Sequence, residues 1–273
     1  MRFIRSLSLL AVVGSVFILN TSTSFAAASS PVASPASVAT QDSTFTVPQV
    51  QKIEQVIHDY LVNHPQVMVE AMQALQKQMV AEEQKHVAAI SDAGLKHSKE
   101  IFDAKVPGRV SVSGENPKVI VAEFFGYQCP VCRGASPVFA KMLNDNKDLQ
   151  VIFIPWTFEG EADIYAAQTS LAAQRQGKFF AVHEALLSLS GVLTKEQVDK
   201  IVKDSGLDMT RLQQDRDDRA IINGIKANFK LAQDLNLIGT PSVFITNAQH
   251  TKFKVFPGKV SPEEMQKAID EAR

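Results

Sequence analysis

The chain holds two cysteines, three residues apart, in Cys129-Pro130-Val131-Cys132. A bridge between such neighbours closes almost no loop, whereas the disulfides that stabilise exported proteins close long ones. These cysteines are therefore read as reactive. Thiol–disulfide exchange and metal binding compete for a C-x-x-C motif. Structural zinc takes four ligands. The chain has no second cysteine pair, and His58, His64, His86, His97, His183 and His250 form no cluster in sequence. The histidines read as ordinary surface or helix residues, and neither a metal nor a cofactor is expected.

The setting of the motif favours exchange. Val119 to Phe125 is an apolar run interrupted by Glu123, as in a strand covered on both faces, and a helical pattern follows over 135–144. A cysteine at such a strand-to-helix turn faces free backbone N–H groups and the positive end of the helix dipole, which lowers a thiol pKa to between about 3.5 and 7.5. Cys129 is expected to be the exposed cysteine that forms the mixed disulfide. Cys132, one turn in and more covered, is expected to remain a thiol until it resolves that intermediate. Pro130 suits the first helical turn, and the pair Pro130-Val131 tunes the potential without a histidine.

Two further features bear on the chemistry. Glu123 stands six residues before Cys129 in the apolar run, where a carboxylate is costly without a use or a partner. Either it carries a raised pKa and shuttles the proton of Cys132, or it points into a hydrated notch. Gly239-Thr240-Pro241 precedes a strand pattern at 242–246 and suggests a tight turn. Only about 5–6% of X-Pro bonds are cis, so the spacing alone says little about that bond. Trp156 ends a buried strand and reads as core.

The elements that must position these residues are α/β in pattern. An edge strand at 110–112, the central strand, a helix and the strand 149–156 come in order, implying a parallel pair with a right-handed crossover. Helical spacing then runs through 162–176, 178–188, 195–204, 209–217 and 220–235. Strands at 242–246 and 252–256 and a capped helix from Ser261 complete the chain.

The N-terminal third is different. Two arginines by Arg5, an apolar run from Leu9 to Leu19 and small-x-small sites ending at Ala26 or Ala28 make a secretory signal peptide, taken as residues 1–26. The apolar run is shorter than the roughly 20 residues of a spanning helix. Residues 27–47 are rich in Ser, Ala, Pro and Thr and read as a flexible linker. Within 48–105, Val50, Ile53, Ile57, Tyr60 and Leu61 mark one amphipathic helix ending near Pro65. Met68, Met72, Leu75 and Met79 mark a coiled-coil-like seam on a second helix, continuing weakly to Ile90. The seam is expected to meet a second copy of the chain, packing on its own catalytic domain being the alternative. A net charge of −1 with 21% charged residues gives no footprint for nucleic acid or an anionic membrane.

Glu123-Phe124-Phe125-Gly126-Tyr127-Gln128-Cys129-Pro130-Val131-Cys132, a helical stretch and Gly239-Thr240-Pro241-Ser242 together resemble the DsbA family of bacterial periplasmic thiol–disulfide oxidoreductases. The resemblance covers residues 107–273 and implies a thioredoxin-like catalytic domain over 106–273 with a helical insertion at about 159–228. It implies that Thr240-Pro241 is a cis-proline loop binding substrate backbone, that Glu123 is the family's buried acid, and that a membrane redox partner recycles the cysteines. Two departures shift the reading. Pro-Val stands where the monomeric oxidase has Pro-His, which counts against a very oxidising potential. Threonine before the proline is more like the dimeric isomerases of the DsbC/DsbG type, and residues 48–105 resemble the oligomerisation segments of family members that form dimers or trimers. The expectation is a periplasmic homodimer or trimer that forms and reshuffles disulfides in exported proteins. A plain oxidase and a chaperone-like exported binding protein are the alternatives.

Overall fold

The structure, a computed structural model, describes residues 45–114 and 116–273. The expected signal peptide and all but the last residues of the expected linker lie outside them. The described chain divides into two compact units after Pro65.

The first unit contains helix α1, Val47–Asn63. Thr46 and Gln49 form a capping box at its start, and its apolar face, Val50, Ile53, Ile57 and Tyr60, is exposed.

The second unit begins with α2, Gln66–Lys96, and a short α3, Ser98–Ile101. Its sheet has five strands in the order β1-β3-β2-β4-β5: Val110–Ser113, Val119–Phe125, Leu149–Pro155, Ser242–Asn247 and Phe253–Pro257 in chain order. The central β2 runs parallel to β3 and antiparallel to β4, so the apolar run is central as its pattern predicts. Helix α4, Pro130–Asp145, crosses between β2 and β3. The insertion supplies α5 (Glu161–Gln174), α6 (Phe179–Leu187), α7 (Lys195–Asp204), α8 (Met209–Arg216) and α9 (Arg219–Asp234). Helix α10, Pro262–Ala272, closes the chain behind a Ser261–Glu264 capping box.

The period of two along β2 sorts its side chains into two cores. Val119, Val121 and Phe125 join Val151, Phe153 and both cysteines, under α4, α10 and helices of the insertion. Ile120, Ala122 and Phe124 join Ile152, Ile154 and Phe244 on the opposite face. Glu123 shares the parity of Val121 and Phe125, so its carboxyl lies on the cysteine side.

The opposite face alters the reading of α2. Ile90, Ala93, Ile101 and Phe102 are buried there against Phe244 and Val255. Fully burying a side chain of this size is worth about 1.5–3 kcal/mol, so the end of α2 and all of α3 are structural parts of the catalytic unit. Packing does not divide at residue 106, and Ile90 belongs to the core instead of the seam. The seam proper, Met68, Met72, Leu75 and Met79, is 50–68% exposed.

Helix α9 approaches the turn before β1 without room to spare. A Cβ on Gly224 would lie 2.1 Å from the Pro107 carbonyl oxygen and 2.6 Å from Gly108 N. Backbone on both sides cannot yield as a side chain would. Gly224→Ala is therefore expected to destabilise the fold by about 2–3 kcal/mol, read as a lower urea midpoint at unchanged slope.

Candidate active site

Cys129 is the N-cap of α4, and its sulfur accepts the Cys132 N–H at 3.4 Å. In the thiol form it also donates to the Thr240 carbonyl at 3.1 Å. Thr240-Pro241 is a cis peptide at the start of β4. Because β4 pairs directly with β2, the loop from 239 to 241 arrives beside the turn that carries the cysteines. The hydrogen bond from the Cys132 thiol, with help from Thr240 and the backbone N–H groups of Cys132 and Val131, lowers the Cys129 pKa to about 5 against the opposing effect of burial. Both cysteines are free.

Cys129 is not the exposed residue its position in sequence suggests. It is 5% exposed, with the Thr240 carbonyl against its sulfur. Its exposed neighbours are Pro130 and Val131. Cys132 is wholly buried, and burial, the bond to Cys129 and the nearby Glu123 all raise its pKa, so it stays a thiol.

Glu123 is 3% exposed. Burial first, and the Cys129 charge second, push its pKa well above the ordinary carboxyl value. A buried acid beside a buried thiol can pass a proton to it or from it. No hydrated notch is needed to explain its place in β2.

Side chains that motif reading did not single out tie the loop between β2 and α4 to the insertion. The Tyr127 N–H donates to Asp163 Oδ1 at 2.7 Å, and the Leu193 N–H donates to Gln128 Oε1 at 2.8 Å. Arg133 donates through Nε to the Tyr127 carbonyl and through Nη1 to the Gly191 carbonyl, at 3.1 and 2.7 Å. The Tyr127 hydroxyl and His183 Nδ1 are 3.0 Å apart. His183 is buried among Phe125, Phe153 and Phe179, and burial lowers its pKa to about 3, so it is a neutral core residue and not a surface one.

Beside Cys129 runs a groove of about 420 Å³ lined by Val131, Ala135, Val138, Lys259 and Val260. Its α4 wall was legible as an apolar stripe, since residues 131, 135 and 138 repeat at helical spacing, with Ala135 and Val138 also packed against the core. Its second wall, from the loop before α10, carries no such signal. Asp163 gave none either, since an acid in a first helical turn reads as a complement to the dipole. Among the described residues no group of three or more His, Cys, Asp or Glu side chains could hold a metal.

Comparison with known proteins agrees with this geometry. Residues 120–270 match the DSBA-like thioredoxin domain, and residues 49–82 match the N-terminal domain of the copper resistance protein ScsC. The chain belongs to the DSBA-like thioredoxin family, a family of thiol–disulfide oxidoreductases. Similar solved structures include a thioredoxin-like oxidoreductase from Silicibacter pomeroyi, 32% identical over 64% of this chain and 96% of that one, TM-score 0.58. The thiol-disulfide exchange protein alpha-DsbA2 from Wolbachia pipientis is 28% identical over 67% of this chain and 96% of its own, TM-score 0.59. BcfH from Salmonella enterica Typhimurium is 26% identical and covers 83% of this chain and 96% of its own, TM-score 0.60. A 159-residue stretch is also 27% identical to the Na(+)/H(+) antiporter NhaA 3 of Salinispora tropica, and spans 24% of that protein. The chain thus covers about a quarter of the curated relatives it matches, and no helix among its described residues is long and apolar enough to cross a membrane.

The lowered Cys129 pKa has a consequence for stability. In the unfolded dithiol chain this thiol ionises near its ordinary value of 9.0, in the folded chain at about 5. A depressed acid pKa adds stability above the unfolded value and loses it as pH falls through the folded one. The dithiol form is therefore expected to gain stability relative to the disulfide form between pH 5 and 9. Thiolate absorbance at 240 nm should titrate with a midpoint near 5, and denaturation of the two redox forms across that window should diverge accordingly.

Proposed function

We propose that this protein is a periplasmic thiol–disulfide oxidoreductase that forms and reshuffles disulfides in exported proteins, acting as a homo-oligomer. The observation that carries the redox chemistry is the Cys129 sulfur at the start of α4, bonded to Cys132 N–H and facing Thr240. At neutral pH it is a thiolate. In reshuffling, that thiolate attacks a misplaced disulfide in a client, forms a mixed disulfide and expels a client thiolate. The freed thiolate attacks another client disulfide, and the client finally displaces Cys129 unchanged. Where the client does not, Cys132 attacks Cys129 Sγ and releases the client reduced, its proton passing to Glu123. Thr240 and Pro241 bind client backbone, Pro130 and Val131 tune the potential, and a membrane redox partner resets the pair.

The exposed seam on α2 supports oligomerisation. Four large apolar side chains at spacings of four, three and four stand exposed along one line of the helix, with Val69 and Val80 exposed beside them. A second copy presents the same seam, and self-pairing buries both. Several active sites around one client favour reshuffling over a single oxidation, since a client released from one thiolate meets another.

The test separates the seam from the core. A chain starting at Glu82 removes the seam and keeps Ile90, Ile101 and Phe102 in place. Full-length protein is expected to sediment as an oligomer and to refold a scrambled-disulfide substrate. The shortened chain is expected to be a monomer that still oxidises a dithiol peptide but loses most of its reshuffling rate. A full-length monomer with the same reshuffling rate as the shortened chain would leave the plain oxidase.

A further inference from the structure

The buried polar atoms near the cysteines that have no partner include Oε2 of Glu159, Oδ2 of Asp163 and Nη2 of Arg133. The two carboxylate oxygens converge. A methyl placed on Gly126, three residues before Cys129, would lie 3.4 Å from Asp163 Oδ2 and 3.5 Å from Glu159 Oε2. Asp163 is wholly buried, and its other oxygen is taken by the Tyr127 N–H. Glu159 is half-buried in the segment between β3 and α5, where the charges of Cys129 and Arg133 both reach it.

Two carboxyls so placed do not ionise independently. Burial first, with the Glu159 charge adding to it, raises Asp163 to about 6 despite bonds from backbone N–H groups. Burial, then the Cys129 charge, raises Glu159, with Arg133 opposing. The groups facing the pair are Cys129 and Arg133 from α4 and Tyr127 from the loop ahead of it. Burial keeps that phenol protonated. Glu123 on β2 acts on Cys129, Cys132 and Tyr127. Glu123 thus acts on the buried thiol, while Glu159, with Asp163 behind it, is a second acid within reach of the Cys129 charge.

We propose that Glu159 is the base that accepts the proton of an incoming client thiol, with Asp163 as a positioning residue behind it. This rests on the oxidoreductase reading and deepens it. In the step, the client S–H bond breaks and its proton goes to Glu159. The client sulfur bonds to Cys129 Sγ, the Cys129–Cys132 bond breaks, and Cys132 leaves with the electron pair and takes a proton from Glu123. The client thiol is oxidised to the mixed-disulfide level and the enzyme disulfide is reduced.

The size of the effect is bounded. An ordinary thiol of pKa about 8.5 is a few per cent ionised at neutral pH, so a base can accelerate its attack at most about 30-fold. The experiment compares oxidised wild type, Glu159→Gln and Asp163→Asn by stopped flow from pH 5 to 8, with two thiols. One is a cysteine peptide; the other is an aromatic thiol already ionised over the whole range. Glu159→Gln is expected to slow the peptide about 5- to 30-fold at pH 7 and to remove the inflection that ionisation of this carboxyl gives the wild-type pH profile. The aromatic thiol should react as fast as with wild type or faster, because a negative charge has gone. Asp163→Asn, which keeps the acceptor for Tyr127 N–H, should shift the inflection and give a smaller loss. Equal loss with both thiols, or no loss with the peptide, overturns the proposal. A wild type that exchanges with neither thiol overturns the oxidoreductase reading itself.

Discussion

A single negative charge has to be held at the edge of an apolar core, and the arrangement of this molecule follows from how that is done. Burial opposes ionisation of Cys129. The hydrogen bond from Cys132, the backbone N–H groups at the start of α4 and the contact with Thr240 outweigh it. These groups come together because β2 is the central strand: α4 begins where it ends, and β4 pairs with it directly. Moving β4 one place in the sheet would take Thr240 and Pro241 away from the sulfur and leave the helix terminus alone to stabilise it.

The same geometry makes the two cysteines unequal. One turn of helix separates a sulfur stabilised as an anion from one that burial keeps neutral. Glu123 lies on the same face of the sheet as the second because strand side chains alternate. The insertion adds rigidity, since Asp163, Gly191 and Leu193 each hold part of the loop that leads into the motif or the first turn that follows it. Together these hydrogen bonds hold the approach to the motif in one direction, and with it the sulfur.

Helix α2 has two roles along its length. Its last turns, with α3, are anchored in the core behind the sheet, while its first turns stand exposed with an apolar seam. A rigid helix rooted in the catalytic unit fixes the distance between whatever pairs on the seam and the active site. That gives an oligomeric reading its mechanical meaning, which a flexible tether would not.

The sequence by itself determined the redox motif, the strand and helix order, and the central place of β2. Each depends on local rules: period two, period three to four, and the chemistry of a helix terminus. It also determined which side of β2 Glu123 faces, through parity with Val121 and Phe125. Only the tertiary structure decided that Cys129 is nearly covered, that Ile90 lies in the core and not the seam, that His183 is buried against Tyr127, and that Glu159 and Asp163 meet at Gly126. These depend on which segments, distant in sequence, pack against one another. Local periodicity identifies an apolar or polar face but not its neighbour, and burial of a thiol or a carboxyl depends on that neighbour.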